Sequence, residues 1–113
     1  MTTFMLDILG NDYLVKFGSR EEVRELGVEY DIQGETDFYK KLIIICTDLK
    51  GDKETQERQL EEILIHELTH AFLFESGLVT YGVEETLPEW FSIVFKKMLN
   101  CFEVGIAHLT QND

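Results

Sequence analysis

Two histidines and a glutamate lie within five residues of one another and carry the clearest chemical signal in the sequence. They are His66, Glu67 and His70, in the segment ILIHELTHAFLFESG at residues 63–77. On an α-helix, residues four positions apart project from one face, so the two imidazoles can bind one metal ion. Glu67 lies about 100° around such a helix, where it can act as a general base on a water without being a ligand. The HExxH pattern therefore predicts a Zn²⁺ site.

The alternative interpretation is that these three side chains are ordinary polar groups in a protein core. They lie on the most apolar turns of the chain, among isoleucine, leucine, alanine and phenylalanine. Three ionisable side chains within five residues are costly to bury there without a specific partner. The pattern therefore favours the metal site over a packing arrangement.

A catalytic zinc site usually has a third protein ligand, and several residues are candidates for it. The elongated motif HExxHxxGxxH is excluded, because Leu73 and Ser76 occupy its glycine and third-histidine positions. His108 follows the apolar stripe of the last predicted helix and is interpreted as a solvated histidine. Glu75 is on the same helix as the two histidines, and one straight helix rarely surrounds an ion. The remaining candidates are Glu84, Glu85 and Glu89.

The choice among these glutamates depends on where the last helix begins. Thr86 and Glu89 could form a capping box, and Pro88 is favourable only in the first turn of a helix. If the helix begins at Thr86, Glu85 precedes it and Glu89 becomes the better-placed ligand. If Glu85 is itself helical, Glu85 and Glu89 are one turn apart on one face. The residues alone leave both alternatives open.

Short apolar segments in the first half of the chain predict four strands that must support this helix. The first two flank the turn GND at residues 10–12 and predict a β-hairpin. The fourth, LIIIC, is a nearly continuous β-branched run, which predicts a strand inside the sheet with both faces covered. A polar connection, QGETDFYKK, joins the third strand to the fourth. The predicted strands span residues 4–9, 13–17, 28–32 and 42–46.

Three helices complete the predicted architecture. The first begins with a capping box, formed by Ser19 and Glu22, and Gly27 fits its C-terminal end. The second carries the HExxH motif in its apolar half, and Gly77 fits the position that ends it. The third carries apolar residues at steps of three and four from Trp90 to Phe102, a stripe predicted to face the core. The predicted helices span residues 20–26, 53–75 and 86–108.

The composition limits the class of protein and its partners. A chain of 113 residues predicts a single domain, residues 1–113. Its formal net charge of -12 disfavours binding to nucleic acid or to an anionic membrane surface, and is compatible with a basic partner or substrate. No segment approaches the ~20 apolar residues that cross a bilayer, and no signal peptide is recognisable. Cys46 and Cys101 form no CxxC pair and are predicted to be buried, reduced thiols in a cytoplasmic protein.

The segments LIIICTDL, EEILIHELTHAFLFESGL and EETLPEW together resemble small phage- and prophage-encoded zinc metallopeptidase-like proteins. They are more distantly similar to ImmA/IrrE-type metallopeptidases and to the thermolysin-like gluzincins, over roughly residues 40–98. The resemblance implies a minimal zincin fold of the α+β class. In that fold a small, twisted, mostly antiparallel sheet packs on the HExxH helix, and a C-terminal helix closes the site. It also implies a zinc-dependent metallopeptidase acting on a peptide or protein substrate.

The resemblance further implies roles for individual residues. In gluzincins a glutamate on the helix after HExxH is the third ligand, and an acidic residue four positions later holds the first zinc-binding histidine. It therefore implies a zinc site of His66, His70 and Glu85, with Glu89 as the hydrogen-bond partner of His66. Glu67 is then the general base that hydrolyses the peptide bond with a metal-activated water.

Two further roles and one alternative function remain open in the sequence. Tyr81 could donate its hydroxyl to a developing oxyanion, although a partly buried loop aromatic is the preferred interpretation. In zincins the strand before the HExxH helix binds an extended substrate by strand addition, which would be the predicted strand 42–46. Because the chain is short for an endopeptidase, the alternative function is a zincin-like binding or regulatory protein of phage or prophage origin that does not turn over substrate.

Overall fold

A computed structural model describes residues 1–28 and 31–111, and these residues form four β-strands and four α-helices. The strands are β1 (Thr2–Ile8), β2 (Asn11–Gly18), β3 (Gly34–Asp37) and β4 (Leu42–Cys46). The helices are α1 (Arg20–Glu25), α2 (Lys53–Glu75), α3 (Val79–Val83) and α4 (Thr86–Gln111). The architecture is α+β, as predicted, with the two longest helices at the C-terminal end of the chain.

The four strands form one mixed sheet in the order β1-β2-β4-β3. The outer pairs, β1 with β2 and β3 with β4, are antiparallel, and the central pair, β2 with β4, is parallel. β4 therefore lies inside the sheet, and its residues 43–46 are buried, which confirms the prediction for LIIIC. Its interior position also means that β4 has no open edge, so the predicted binding of substrate by this strand is wrong.

The β-hairpin is present, but its turn lies one residue earlier than predicted. Leu9 and Gly10 form the two-residue turn, with φ angles of 53° and 90°. Two consecutive positive φ values are typical of the turn that matches the right-handed twist of the strands it joins. Asn11, predicted to be part of the turn, already pairs with Ile8.

The third strand of the chain is formed by a different segment from the one predicted. In the predicted strand 28–32, Val28, Asp31 and Ile32 lie outside any strand, and residues 29 and 30 lie outside the described residues. The observed strand β3 comes from GETD, within the predicted polar connection. Its residues are all half-buried, because β3 is at the edge of the sheet and packs beside α2. An edge strand of this kind does not need an apolar sequence.

Strand β4 supplies side chains to the core on both faces of the sheet. On one face, Ile43 and Ile45 join Val15 and the buried Ala71 of α2. On the other face, Ile44 and Cys46 pack with Val23 of α1. The successive side chains of a strand point to opposite faces, so this one strand links the two hydrophobic clusters. The sheet thereby fixes the orientation of α2, the helix that carries the HExxH motif.

Helix α2 has the predicted bounds, and both of its ends are capped. The side chain of Asp52 accepts a hydrogen bond from the backbone N–H of Thr55 at 2.8 Å. After the last turn, Gly77 adopts a φ of 90°, and the N–H of Leu78 donates to the carbonyl of Leu73 at 3.0 Å. Glycine is favoured at this position because the left-handed backbone carries little strain there.

Helix α4 begins at Thr86, and only its first half meets the core. Pro88 and Ser92 are buried against the rest of the protein, and Lys96 contacts Glu61 of α2 at 2.6 Å. From Leu99 to Leu109 the helix is exposed, so the prediction that the whole stripe to Phe102 faces the core is wrong. The greatest dimension of the molecule, 56 Å, far exceeds its other two dimensions of 37 and 26 Å.

Two predictions about the whole chain can be compared with the structure. Cys46 and Cys101 are both free thiols, and Cys46 is buried as predicted. Cys101 is exposed on the second half of α4, so its predicted burial is wrong. Among the described residues, no helix is both long enough and apolar enough to cross a membrane.

Candidate metal centre

Helix α2 brings the two histidines of the HExxH motif together on one face, as predicted. Their Nε2 atoms are 3.2 Å apart, and their rings lie 4.9 Å apart, centre to centre. His70 is buried and His66 is half-buried. Two imidazole nitrogens at this separation could supply two ligands of a metal site.

The second nitrogen of His70 is held by the backbone of α3. The Nδ1–H of His70 donates a hydrogen bond to the carbonyl oxygen of Gly82. Because a carbonyl can only accept, this contact places the ring proton on Nδ1 and leaves the lone pair of Nε2 free. A hydrogen bond of this kind is the usual support for a histidine that binds a metal.

The approach of α3 to α2 depends on a glycine. A Cβ atom added to Gly82 would lie 2.9 Å from the backbone nitrogen of Phe74 and 3.2 Å from its Cα. These are backbone atoms of a long helix, which cannot move aside as a flexible side chain can. Gly82 is therefore required for the close contact that brings its own carbonyl to His70. From there the extended backbone of Glu84, with ψ at 155°, leads the chain back over the histidines.

Glu85 is the glutamate that the structure brings to the two histidines. One of its carboxylate oxygens, Oε2, lies 2.7 Å from Nε2 of His66 and 3.3 Å from Nε2 of His70. Burial acts to raise the pKa of Glu85, but the hydrogen bond to His66 and the electrostatic interaction with His70 outweigh it, and the net pKa is lowered. The carboxylate is therefore kept in the ionised form that can bind a cation.

Glu85 reaches this position from just outside helix α4. The helix begins at Thr86, and the carbonyl of Glu85 accepts the hydrogen bond from the N–H of Glu89 at 3.0 Å. For a helix beginning at Thr86, the sequence favoured Glu89 as the better-placed ligand. The structure nevertheless brings Glu85, and not Glu89, to the two histidines, because the position of Glu85 is set by α3 before it and not by a helical repeat with Glu89.

The three side chains have the spacing and the chemistry that a zinc ion requires. One ligand atom from each of His66, His70 and Glu85 lies within 4.8 Å of the other two. Ligands bound to zinc at about 2.0–2.1 Å in a tetrahedron lie roughly 3.3 Å from one another. The observed separations of 2.7 to 3.3 Å are close to this value. Two histidines with one glutamate are also a known ligand set for catalytic zinc, so this group could hold a metal ion.

Glu67 is buried beside this group, and its carboxylate is held by strand β3. The hydroxyl of Thr36 lies 2.7 Å from Oε1 of Glu67 and 3.1 Å from its carbonyl oxygen. A Cβ atom added to Gly34 would lie 2.9 Å from Cγ of Glu67, so the glycine makes room for this side chain. Burial raises the pKa of Glu67, and the hydrogen bond with Thr36 opposes the rise without cancelling it.

A cavity of about 750 Å³ opens onto His66, His70 and Glu85 from the side of β3. Its walls come from β3, α2 and the first turns of α4. Besides Glu67 and Glu85, three carboxylates border it: Glu35, Glu62 and Glu89. None of the described residues that line it is a lysine or an arginine. The cavity is therefore large enough for several residues of a peptide, and its walls are acidic.

The other predicted site residues do not contact the two histidines. Glu89 borders the cavity, but within residues 1–28 and 31–111 its carboxylate makes no hydrogen bond with His66, so the predicted pair is not formed. Glu75 forms an ion pair with Lys41 at 2.7 Å, away from the histidines. The remaining three are exposed and do not line the cavity: Glu84, Tyr81 and His108.

Three residues with a part in the site were missed in the sequence. Gly34 and Gly82 are isolated glycines outside any obvious turn, which is a known signal for a close backbone approach. The signal could have identified them as contact positions, although not their partners. Thr36 has no comparable signal, because a threonine in a polar segment is common on any surface.

Comparisons with known proteins were made for both the sequence and the fold. Neither a protein-family model, nor a characterised protein, nor a solved structure matches this chain.

Proposed function

We propose that this protein is a zinc-dependent metallopeptidase with a minimal, gluzincin-like zincin fold. The observation that carries the proposal is the convergence of Glu85 on His66 and His70, with Oε2 of Glu85 at 2.7 Å from His66. The two histidines lie on α2 and Glu85 directly precedes α4, and all three are donor types that catalytic zinc uses. An acidic cavity large enough for a peptide adjoins them.

The zinc ligands in this proposal are Nε2 of His66, Nε2 of His70 and the carboxylate of Glu85. Zinc bound there would act as a Lewis acid on a carbonyl oxygen and would lower the pKa of a water molecule toward 7. Gly82 keeps the lone pair of His70 available, because its carbonyl holds the ring proton on Nδ1. All three side chains line the cavity, which is where a substrate would enter.

Glu67 is the general base in the proposed reaction. Thr36 binds Oε1, so Oε2 is the oxygen that accepts a proton from the attacking water. The same carboxyl then returns the proton to the leaving amine, which completes the hydrolysis of the peptide bond. Burial raises the pKa of Glu67 and so makes it a stronger base than an exposed glutamate. Its position beside the ligands, and not among them, suits this role.

The substrate in this proposal is an extended peptide that lies along β3. β3 is an edge strand, and residues 33–36 line the cavity. An extended chain can add to such an edge by backbone hydrogen bonds, with side-chain pockets deciding which sequence binds. β3 thus takes the role that the sequence assigned to β4. The carboxylates of Glu35, Glu62 and Glu89 favour a substrate with lysine or arginine near the cleaved bond.

The decisive experiment compares zinc content with peptide cleavage in Glu67→Ala. The purified protein should contain one zinc per chain and cleave members of a peptide library, with a preference for basic sequences. Glu67→Ala should keep the zinc and lose at least about a hundredfold in cleavage rate, because a general base contributes 10²–10⁴-fold. Glu62→Gln is the matched control, since it removes another carboxylate of the same cavity and should retain catalysis on neutral peptides.

The possible outcomes separate the proposal from its alternative. Full activity in Glu67→Ala would contradict the assignment of the general base. Stoichiometric zinc without cleavage of any peptide would favour a binding or regulatory protein that keeps a zinc site. A protein that binds no zinc would overturn the metal centre itself.

A further inference from the structure

Helix α4 carries an apolar stripe that continues past the fold, where it is uncovered. The stripe comprises Leu87, Phe91, Val94, Met98, Phe102, Gly105 and Leu109. Its six steps cover 22 residues, about 3.7 residues per step, so the stripe runs almost parallel to the axis of a straight helix. Phe102 is 58% exposed and Leu109 is 72% exposed. Continuous exposed apolar surface of this kind marks an interaction site.

The first half of the stripe forms one wall of an apolar groove of about 480 Å³. Trp90, Phe91 and Phe95 of α4 face Ile65, Leu68 and Phe72 of α2 across this groove. The groove lies on the other side of α4 from the acidic cavity, which is bordered by Glu89 and Ser92. The uncovered half of the stripe and the groove are therefore continuous on one face of the molecule.

We propose that a second copy of this chain covers this face, in a twofold dimer whose α4 helices lie antiparallel and cross at Met98. The spacing of the stripe is the same in both directions from Met98, so antiparallel pairing aligns the two copies position by position. In that register Leu87 meets Leu109, Phe91 meets Gly105 and Val94 meets Phe102. The uncovered half of each stripe enters the groove of the other copy.

The register gives a role to Gly105, which its own chain does not explain. A Cβ atom added to Gly105 would meet nothing within 4 Å, so no contact in the chain excludes a side chain there. A glycine inside a helix is destabilising relative to alanine. In the antiparallel dimer it lies opposite Phe91, where the absence of a side chain leaves space for the aromatic ring.

The exposed apolar area is close to what a stable interface needs. Seven apolar side chains of the stripe, its flanks and the groove are between 38% and 72% exposed: Phe72, Leu87, Trp90, Leu99, Phe102, Ile106 and Leu109. At about 200 Å² for a large side chain, their exposed parts amount to roughly 700 Å². A standard interface buries about 800 Å² on each partner.

The charge distribution also favours a second copy on this face. The chain has a net charge of -12, so most surfaces of two copies would repel each other. Helix α4 contains four charged side chains, Glu89, Lys96, Lys97 and Glu103, and so has a net charge of zero. The paired α4 helices are therefore the part of this acidic molecule where two copies can meet without strong repulsion.

The dimer is tested by light scattering coupled to size-exclusion chromatography at roughly 5 to 200 µM protein, a range that covers dissociation constants on the order of micromolar. The wild-type chain of 13.2 kDa should elute as a dimer of twice that mass at the upper concentrations. The double variant Phe102→Glu/Leu109→Glu should be monomeric throughout. Val104→Glu is the matched control: Val104 is 51% exposed, lies about 160° around the helix from Phe102, and should leave the dimer intact.

The antiparallel register is tested by cysteine cross-linking in a Cys101→Ser background. A mixture of the Leu87→Cys and Leu109→Cys proteins should form a disulfide-linked heterodimer under mild oxidation, and Leu109→Cys alone should not link to itself. Linkage of Leu109→Cys to itself would overturn the antiparallel arrangement. A monomeric wild type at every concentration, or a dimer that survives Phe102→Glu/Leu109→Glu with its helicity intact by circular dichroism, would overturn the interface.

Discussion

The two halves of the candidate metal centre are positioned by different means. His66, Glu67 and His70 lie on one long helix, so their relative positions follow from helix geometry alone. Glu85 lies outside any helix, and its side chain is 67% exposed. It reaches the histidines through α3, whose place depends on the contact between Gly82 and the backbone of Phe74. The positions of two candidate ligands on one helix are thus encoded locally, whereas the position of the third candidate is encoded by packing between elements.

The largest effect is expected from His70→Ala, because His70 connects the two halves. Its Nε2 faces His66 and Glu85, and its Nδ1–H holds Gly82. Zinc affinity should fall by far more than the 10–100-fold that loss of a supporting hydrogen bond costs. Competition with a chromogenic chelator measures the affinity. His108→Ala, which removes an exposed histidine of α4, is the control and should bind zinc like the wild type; an unchanged affinity in His70→Ala would contradict the site.

Gly82→Ala should move Glu85 away from the two histidines without removing any of the three candidate ligands. The added Cβ would lie 2.9 Å from the backbone nitrogen of Phe74, so α3 has to move away from α2. We expect a loss of about 1–3 kcal/mol in the free energy of unfolding, as for other overpacked sites, and about 10–100-fold in zinc affinity. Denaturant unfolding and chelator competition measure the two effects.

The control for that variant is Gly105→Ala, at a helical glycine with open space around it. It should leave zinc affinity unchanged and, at protein concentrations low enough to keep the chain monomeric, stabilise α4 by up to about 1 kcal/mol through helix propensity. Equal stability of Gly82→Ala and the wild type would show that the contact with Phe74 is not required.

A smaller effect is expected from Thr36→Val, which changes the surroundings of Glu67 on α2. The variant removes the hydroxyl that lies 2.7 Å from Oε1 of Glu67 but leaves the zinc ligands in place. Leaving a buried carboxylate oxygen without its partner costs about 1–3 kcal/mol, so kcat should fall by roughly ten- to a hundredfold. Zinc affinity should change little. Thr36→Ser restores the hydroxyl and should recover most of the rate; if it does not, the contact has another role.

The smallest effect concerns Glu22, a carboxylate that binds the N-terminal amine and belongs to the capping box of α1. Hydrogen bonds from the backbone N–H of Ser19, from the N-terminal amine and from the Ser19 hydroxyl lower the pKa of Glu22 from 4.5 to about 2. A folded-state pKa below the unfolded one contributes stability above pH 4.5, and that contribution is lost as the pH falls from 4.5 toward 2.

Glu22→Gln should therefore flatten the loss of thermal stability between pH 4.5 and 2, as measured by calorimetry over that range. Because the capping box belongs to α1 and does not touch the metal centre, zinc affinity at neutral pH should be unchanged. A change in zinc affinity would mean that local and tertiary contacts are coupled across the sheet.

The features that the sequence predicted are those with a periodic or local signal. The bounds of α2 follow from its apolar pattern and from Asp52 and Gly77 at its ends, and the capping box of α1 follows from Ser19 and Glu22. β4 was identifiable because a run of isoleucines has few alternatives to a buried strand. In each case the residues that determine the structure are neighbours in the sequence.

The features that the sequence did not predict depend on contacts between distant residues. β3 has no apolar pattern, since α2 covers it only partly and GETD needs only to fit beside Glu67. Helix α3 has five residues and no side-chain cap at its N-terminus, so no local signal marks it. Glu85 was named through the family resemblance, but its route to the histidines passes through Gly82, whose partner Phe74 lies eight residues earlier.

The parallel pairing of β2 with β4 has a consequence for how the chain folds. β1 and β2 can form their hairpin early, because the residues that pair are close in the sequence. The pairing of β2 with β4 is slower, because Leu14 pairs with Leu42, which is 28 residues later. Until β4 pairs with β2, the most β-prone segment of the chain, residues 42–46, is exposed to other unfolded chains and can aggregate with them. Lys40 and Lys41 before it and Asp48 after it place charges on both sides. Charged residues that flank such a segment slow its association with copies of itself until the sheet encloses it.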